Sequence, residues 1–200
     1  MFTIRGNIGI VSVDIDYLRY LYETENEVRY SKGYENKKYL GILVNANNTE
    51  YVIPMSSAKD KHKNFRMSSN TYMLIYEIAK VSKMKDKDIW IPISNNTVDD
   101  VKLEAKAKHI LSLLDFKKMI PIKEGLYEKV SLKTSDNDSK ELQKYKALLQ
   151  KEYSFCVSNK EKIVRTAGKL YEHQVTSGKI IPKCCNFLLL EEALKKYQSK

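Results

Sequence analysis

The chain has 200 residues, 35 of them Lys or Arg against 25 Asp or Glu, and a formal net charge of +10. At 42% hydrophobic and 30% charged it is no disordered tail, and its length suffices for one domain with a real core. The basic surplus favours polyanionic partners, because lysines that neutralise phosphates release condensed counterions.

In chain order, the N-terminus MFTIRGNIGIVSVD lacks the basic, apolar, small-residue sequence of a signal peptide. Asp14 or Asp16 can cap a short helix carrying Leu18, Leu21 and Tyr22 at helical spacing. Tyr39–Val44 is an apolar run of strand length. Asn45–Asn48 follows as turn chemistry, and Tyr51–Pro54 reads as the returning strand of a hairpin. Further strands are expected over Tyr72–Ile78, Ile89–Ile93 and Met119–Ile122, with Pro92 and Pro121 at strand ends or edges. After the polar stretch Lys133–Asp138 the period becomes helical. Leu142, Tyr145, Leu149, Tyr153 and Cys156 share one face of a helix beginning near Ser139. A second helix carries Ile163, Ala167, Leu170 and Tyr171, starts near Ser158 or Asn159 and stops before Gly178. A third follows Asn186, with Leu189, Leu190, Ala193, Leu194 and Tyr197 on its apolar side. Strands first and helices last argue for an α+β fold in a single domain spanning residues 1–200.

No apolar run approaches the roughly 18 residues of a membrane span. Three cysteines, two of them the neighbours Cys184 and Cys185, make no disulfide framework. The expected setting is a reducing cytoplasm. His62, His109 and His173 are far apart, and no C-x-x-C or H-E-x-x-H spacing is present, so no metal or other cofactor is expected. Asp99, Asp100 and Glu104 could decorate a magnesium site, but adjacent carboxylates in a polar stretch are more often solvated. Cys156 belongs to an apolar helix face and reads as core filler.

One segment carries chemistry. Pro54-Met55-Ser56-Ser57-Ala58-Lys59-Asp60-Lys61-His62-Lys63-Asn64-Phe65-Arg66 leaves a strand with two hydroxyls and then presents a run of cations. Hydroxyls and backbone N–H groups bind phosphate oxygens, lysines supply potential, and Phe65 offers a ring. Spacing alone favours an ordinary solvated basic loop over such a site. The 14 tyrosines could stack on bases or fill the core.

This segment resembles the ToxN/AbiQ family of type III toxin–antitoxin endoribonucleases. The family pattern is a Gly-Ile strand, a hairpin, then Pro-Leu-(Thr/Ser)-Ser-x-Lys with a downstream His. It is matched by Lys38–Leu43, by Tyr51–Lys59 and by His62. Tyr17-Leu18-Arg19-Tyr20-Leu21, Phe116–Ile122 and Cys185–Glu192 resemble three further family blocks in the same order. The chain departs from the pattern in a longer N-terminus, in Ala58 where Pro is common, and over 71–90 and 95–114. The resemblance implies a twisted antiparallel sheet, partly closed into a Kid/MazF-like barrel, with helices packed around it. It also implies an RNA-cleaving toxin held inactive by a small structured repeat RNA, often in a closed protein–RNA ring, and active in phage abortive infection.

RNA carries its own nucleophile, so 2′-OH attack giving a 2′,3′-cyclic phosphate and a 5′-OH needs no metal. In that mechanism Lys59 stabilises the phosphorane, Ser57 and Ser56 bind the scissile phosphate, and Tyr17 positions ribose or phosphate. Lys37, Lys38, Lys61, Lys63 and Arg66 form an RNA track, and His62 binds RNA rather than moving protons. A non-catalytic module for structured RNA is the alternative. A DNA-binding regulator ranks last, for want of a helix-turn-helix.

Overall fold

A computed structural model describes residues 2–31, 33, 37–44, 47–93 and 105–198. Asp99, Asp100 and Glu104 lie outside the described residues. The strands are β1 (Thr3–Val13), β2 (Tyr39–Val44), β3 (Glu50–Ser57), β4 (Tyr72–Lys80), β5 (Ile89–Pro92), β6 (Lys106–Asp115), β7 (Ile120–Ile122) and β8 (Tyr127–Lys129). Helix α1 (Ile15–Thr24) separates β1 from β2, and α2 (Lys140–Ser158), α3 (Lys160–Ser177) and α4 (Phe187–Lys196) end the chain. Short 3₁₀ turns occupy Asp60–Asn64, Val81–Lys83 and Phe116–Lys118.

The expected α+β architecture holds. Every ladder is antiparallel, in the order β4-β6-β3-β2-β1-β8, with β5 on the other edge of β6 and β7 on β3. The outer strands β4 and β8 do not pair with each other, so among the described residues the sheet is not closed.

Strand β3 is the hub. One edge pairs with β2 between Glu50 and Pro54; the other meets β6 at Met55–Ser57 and β7 at Glu50–Val52. Between them the partner chain leaves the ladder as the turn Phe116–Lys118. Pro54 sits opposite that break. The Met55 N–H points to β2, bonding the Lys38 carbonyl at 2.9 Å, so by alternation the donor that Pro54 lacks would have faced the gap. Close approach at this hub also fixes Gly41, where a Cβ would come within 2.8 Å of Val52 Cγ1.

The three late helices begin where the sequence signals them. Ser139 and Asn186 cap α2 and α4 by accepting the Leu142 and Leu189 N–H groups, and Gly178 ends α3 at φ 66°. Leu149, Cys156, Ile163, Ala167, Leu170, Leu190 and Ala193 join the main core as expected. Leu142, Tyr145 and Leu189, expected on the apolar faces of α2 and α4, are instead exposed. Strands β1 and β6 are not evident from pattern. Gly6 and Gly9 interrupt the first, and β6 is buried on both faces from Ile110 to Asp115, so it shows no alternation.

Two clusters fill the molecule. In the larger, the rings of Phe2, Tyr51, Tyr171 and Phe187 meet largely edge to face, and the Tyr51 and Tyr171 hydroxyls both donate to Glu191 Oε1, at 2.8 and 2.9 Å. The smaller, Leu74, Ile110 and Leu113, is covered by Ala58, Phe65, Met67, Ile89 and Ile91. That second cluster moors the basic turn to the sheet.

Candidate active site

The end of β3 delivers the expected hydroxyls. Ser57, exposed, lies directly across from Ser112 of β6, and Ser56 is half-buried beside it. Ser56 Oγ accepts from Lys37 Nζ at 2.9 Å and lies 3.4 Å from Arg29 Nη1. Arg29 Nη2 in turn donates to Asp115 Oδ2 at 2.7 Å, at the buried end of β6. Three cations thus gather around the Ser-Ser step, for Lys59 follows two residues on and is near enough to act on the Lys37 charge.

Lys37 bears the electrostatic consequence. Burial first, then the guanidinium of Arg29 and the ammonium of Lys59, bring it from 10.5 down to about 8, while Asp115 and Glu152 pull the other way. Glu152, on the buried face of α2, is raised by that burial, with the Ser112 hydroxyl and Lys37 opposing. Arg29, Asp115 and Glu152 are not marked by the sequence. Arg29 stands in the loop after α1, and nothing in its neighbourhood announces a contact with Ser56.

That loop is stapled in place. Lys118 Nζ donates to the Glu27 carbonyl and pairs with its carboxylate, and Glu25 Oε2 accepts the Asn186 N–H at 3.2 Å. The Cys185 N–H bonds the Lys117 carbonyl at 2.9 Å, tying the turn before β7 to the start of α4.

The basic turn has a different internal logic from the one expected. His62 is 4% exposed. Its Nδ1 accepts the Lys59 N–H at 3.1 Å, and its own N–H bonds the Lys59 carbonyl at 2.8 Å. Accepting at Nδ1 places the ring proton on Nε2 and keeps the ring neutral. Burial and the ammoniums of Lys61 and Lys59 lower its basicity in the same sense. His62 therefore closes the turn around Lys59 instead of facing RNA. Phe65 is likewise an anchor, its ring 5.1 Å from His62 and 5.0 Å from Tyr72.

Tyr17 is corrected as well. It is 0% exposed, and its hydroxyl donates to the Pro121 carbonyl at 2.8 Å. Burial pushes that hydroxyl far above its usual pKa. A side chain sealed beneath β7 cannot touch ribose or phosphate, so Tyr17 is a core residue. The remaining cations lie at the surface or half-buried beside the turn. Lys61, Lys63 and Arg66 are exposed around the turn, with Lys63 paired to Asp60 at 2.8 Å. Lys38 is half-buried, and that burial lowers its basicity. Among the described residues, no cluster of three or more His, Cys, Asp or Glu is arranged to hold a metal. No helix there is long and apolar enough to cross a membrane.

A family model for the toxin ToxN of type III toxin–antitoxin systems matches residues 9–195. The chain belongs to the ToxN family. The endoribonuclease ToxN of Pectobacterium atrosepticum is 27% identical over 93% of this chain and 91% of its own. Two solved structures share the fold. One, from work on toxin inhibition by a non-coding RNA pseudoknot in type III systems, has a TM-score of 0.69 at 19% identity, covering 98% of this chain and all (100%) of that one. The other, AbiQ, a lactococcal anti-phage endoribonuclease, has a TM-score of 0.68 at 20% identity over 95% and 97% of the two chains. The ToxN match runs from within β1 to within α4, so the cationic Ser-Ser site lies wholly inside the family region.

Proposed function

We propose that this ToxN-family chain is a metal-independent endoribonuclease toxin, held inactive by a small repeat-derived RNA and deployed in abortive infection. The observation that carries the reading is the convergence of Lys37 and Arg29 on the Ser56 hydroxyl, beside Ser57 and Lys59. A solvated basic loop does not gather cations on one hydroxyl and lower the basicity of one of them. A site built to hold a phosphate does.

In the proposed reaction the substrate's 2′-hydroxyl gives up its proton to solvent water and its oxygen attacks the adjacent phosphorus in line, breaking the bond to the 5′-oxygen. Ser57 and Ser56 hold the non-bridging oxygens, and Lys59 and Arg29 stabilise the charge that grows on the phosphorane. Lys37, poised near neutrality, donates a proton to the departing 5′-oxygen. The products are a 2′,3′-cyclic phosphate and a 5′-hydroxyl. Lys38, Lys61, Lys63 and Arg66 guide the strand. The same cationic surface receives the inhibitory RNA, in a closed protein–RNA ring.

Induction in a bacterial host with end-mapping of cellular RNA tests the reading. Growth arrest and new cyclic-phosphate ends are expected, with rescue by the cognate repeat RNA in trans. Purified protein should cut equally well in EDTA. Unimpaired growth with abundant soluble toxin and intact RNA would overturn it.

A further inference from the structure

Next to the Ser-Ser step the sheet buries a hydroxyl that the fold itself does not use. Ser112 of β6 stands directly across the ladder from Ser57, with Ile75 of β4 on its other side. Residues directly opposed on an antiparallel pair hold their Cβ atoms about 5 Å apart on one face, close enough for one hydroxyl to donate to the other. Ser57 is exposed and Ser112 is 3% exposed, so the pair joins the surface of the site to its interior. Although sealed from water, the Ser112 Oγ makes no hydrogen bond of ordinary length. A buried hydroxyl without a partner costs folding energy that an alanine would not.

A buried carboxyl stands beside that hydroxyl. Helix α2 packs on β6. Its Glu152, 4% exposed, lies close enough to Ser112 for the hydroxyl to oppose the rise in pKa that burial causes. Among the described residues Glu152 makes no ion pair. The cation whose field reaches it, Lys37, has its ammonium 2.9 Å from Ser56 Oγ. Burial without an ionic partner is the setting in which a carboxyl holds its proton. The other polar groups around α2 are engaged elsewhere. Lys151 and His109 are both held by Glu77 of β4, and Asp115 is on Arg29. Burial, and then the Glu152 charge, raise the pKa of Tyr145 and Cys156 on α2 itself. From β1 and α3 the same core receives Ile8, Ile10, Ile163 and Ala167, which carry no charge.

We propose that Glu152 is a positioning residue for RNA cleavage: in its acid form it donates to Ser112, Ser112 donates to Ser57, and Ser57 is thereby aimed to donate to the scissile phosphate. This rests on the ribonuclease reading, in which Ser57 holds a non-bridging oxygen, and deepens it. The direction follows from counting protons, since each hydroxyl has one to give. When Ser57 gives its proton to phosphate, its lone pairs are open to Ser112. When Ser112 gives its proton to Ser57, its own lone pairs are open to a donor, and a carboxyl donates only in its acid form. An ionised Glu152 takes the Ser112 proton instead. Ser57 then turns its own proton inward and sets a lone pair against the phosphate. Binding of the substrate phosphate therefore draws one proton from solvent onto Glu152. Donors in series polarise one another, which strengthens the outermost.

The test reads that proton directly. The Glu152 carboxyl carbon is titrated by NMR in carbon-13-labelled protein, with and without sulfate, at constant ionic strength. Sulfate is a tetrahedral anion that does not itself titrate in this range, and the Glu152 signal is identified by its absence from Glu152→Gln. Sulfate should raise the Glu152 pKa by about one unit or more in the wild type. In Ser112→Ala, which removes only the unpartnered hydroxyl, that rise should fall by at least about half, because the field of the anion remains but the donor chain is cut. No rise in the wild type overturns the proposal. So does an equal rise in Ser112→Ala, which would mean that Glu152 senses the anion through space. Cleavage is measured in parallel. Ser112→Ala and Glu152→Ala should each lose about three- to tenfold in kcat/KM, the worth of one neutral hydrogen bond. Glu152→Gln should recover most of that loss, since its amide donates without titrating. Equal losses in the Ala and Gln variants at Glu152 overturn the donor role. A wild-type protein that cuts nothing sinks the ribonuclease reading, and the Glu152 titration still decides the hydrogen-bond chain.

Discussion

Lys37→Arg separates the charge of this side chain from its proton. With a pKa of about 8, Lys37 is about nine-tenths protonated at pH 7 and about one-tenth at pH 9. If its ammonium protonates the leaving oxygen, wild-type kcat/KM falls as pH rises through 8, about tenfold for each further unit. Arginine stays charged throughout this range. The variant should therefore lose the alkaline limb, and also lose about a hundredfold or more in rate, since it has no proton to give. The structure fixes the direction of two further shifts. Arg29 lowers the Lys37 pKa, so Arg29→Met should move the limb to higher pH. Asp115 raises it, so Asp115→Asn should move the limb lower. The assay is kcat/KM on a fluorogenic oligonucleotide from pH 6 to about 10, at constant ionic strength because the site is cationic. A wild-type profile that rises through 8 would make Lys37 a base. A limb that survives Lys37→Arg would place the titrating group elsewhere.

Lys59→Ala should cut about a hundred- to a thousandfold more slowly, the usual cost of one preorganised charge contact, while keeping most of its affinity for RNA. Wild-type rates in a folded variant would remove Lys59 from the mechanism. Replacing Lys61, Lys63 and Arg66 together by Ala should flatten the salt dependence of RNA binding by about two units. An unchanged slope in filter binding would move the track off the turn. Glu191→Leu leaves the Tyr51 and Tyr171 hydroxyls buried without their shared acceptor. It should cost about 2–5 kcal/mol, read as a lower midpoint in urea, and a neutral result would mean the hydroxyls find other partners.

The sequence shows the half of the site that is local. A strand ending in Ser56-Ser57, with Lys59 beyond it, can be read from adjacent residues, and the structure keeps that order. The other half comes from contacts across the chain. Arg29 and Ser56 are 27 residues apart, and Arg29 and Asp115 are 86 apart, so no spacing rule relates them. Tyr17 shows a different limit. The helix that carries it is legible from Asp14 and the spacing of Leu18 and Leu21. The inward turn of its hydroxyl depends on the free edge of β7, more than a hundred residues later. His62 misleads for a chemical reason. An imidazole amid lysines suggests proton transfer or RNA contact, yet a tight turn can use its Nδ1 as a backbone acceptor and bury the ring. The late helices, by contrast, follow from caps and a clear period, and β6 escapes because a strand buried on both faces has no period to show.

The staple between Glu25 and Asn186 orders events in time. The loop that carries Arg29 is made early in synthesis, but one of its anchors belongs to the residue that caps the last helix. A domain generally folds as a unit, and this tether of the Arg29 loop forms only when the start of α4 has docked. A chain cut before Asn186 lacks that tether.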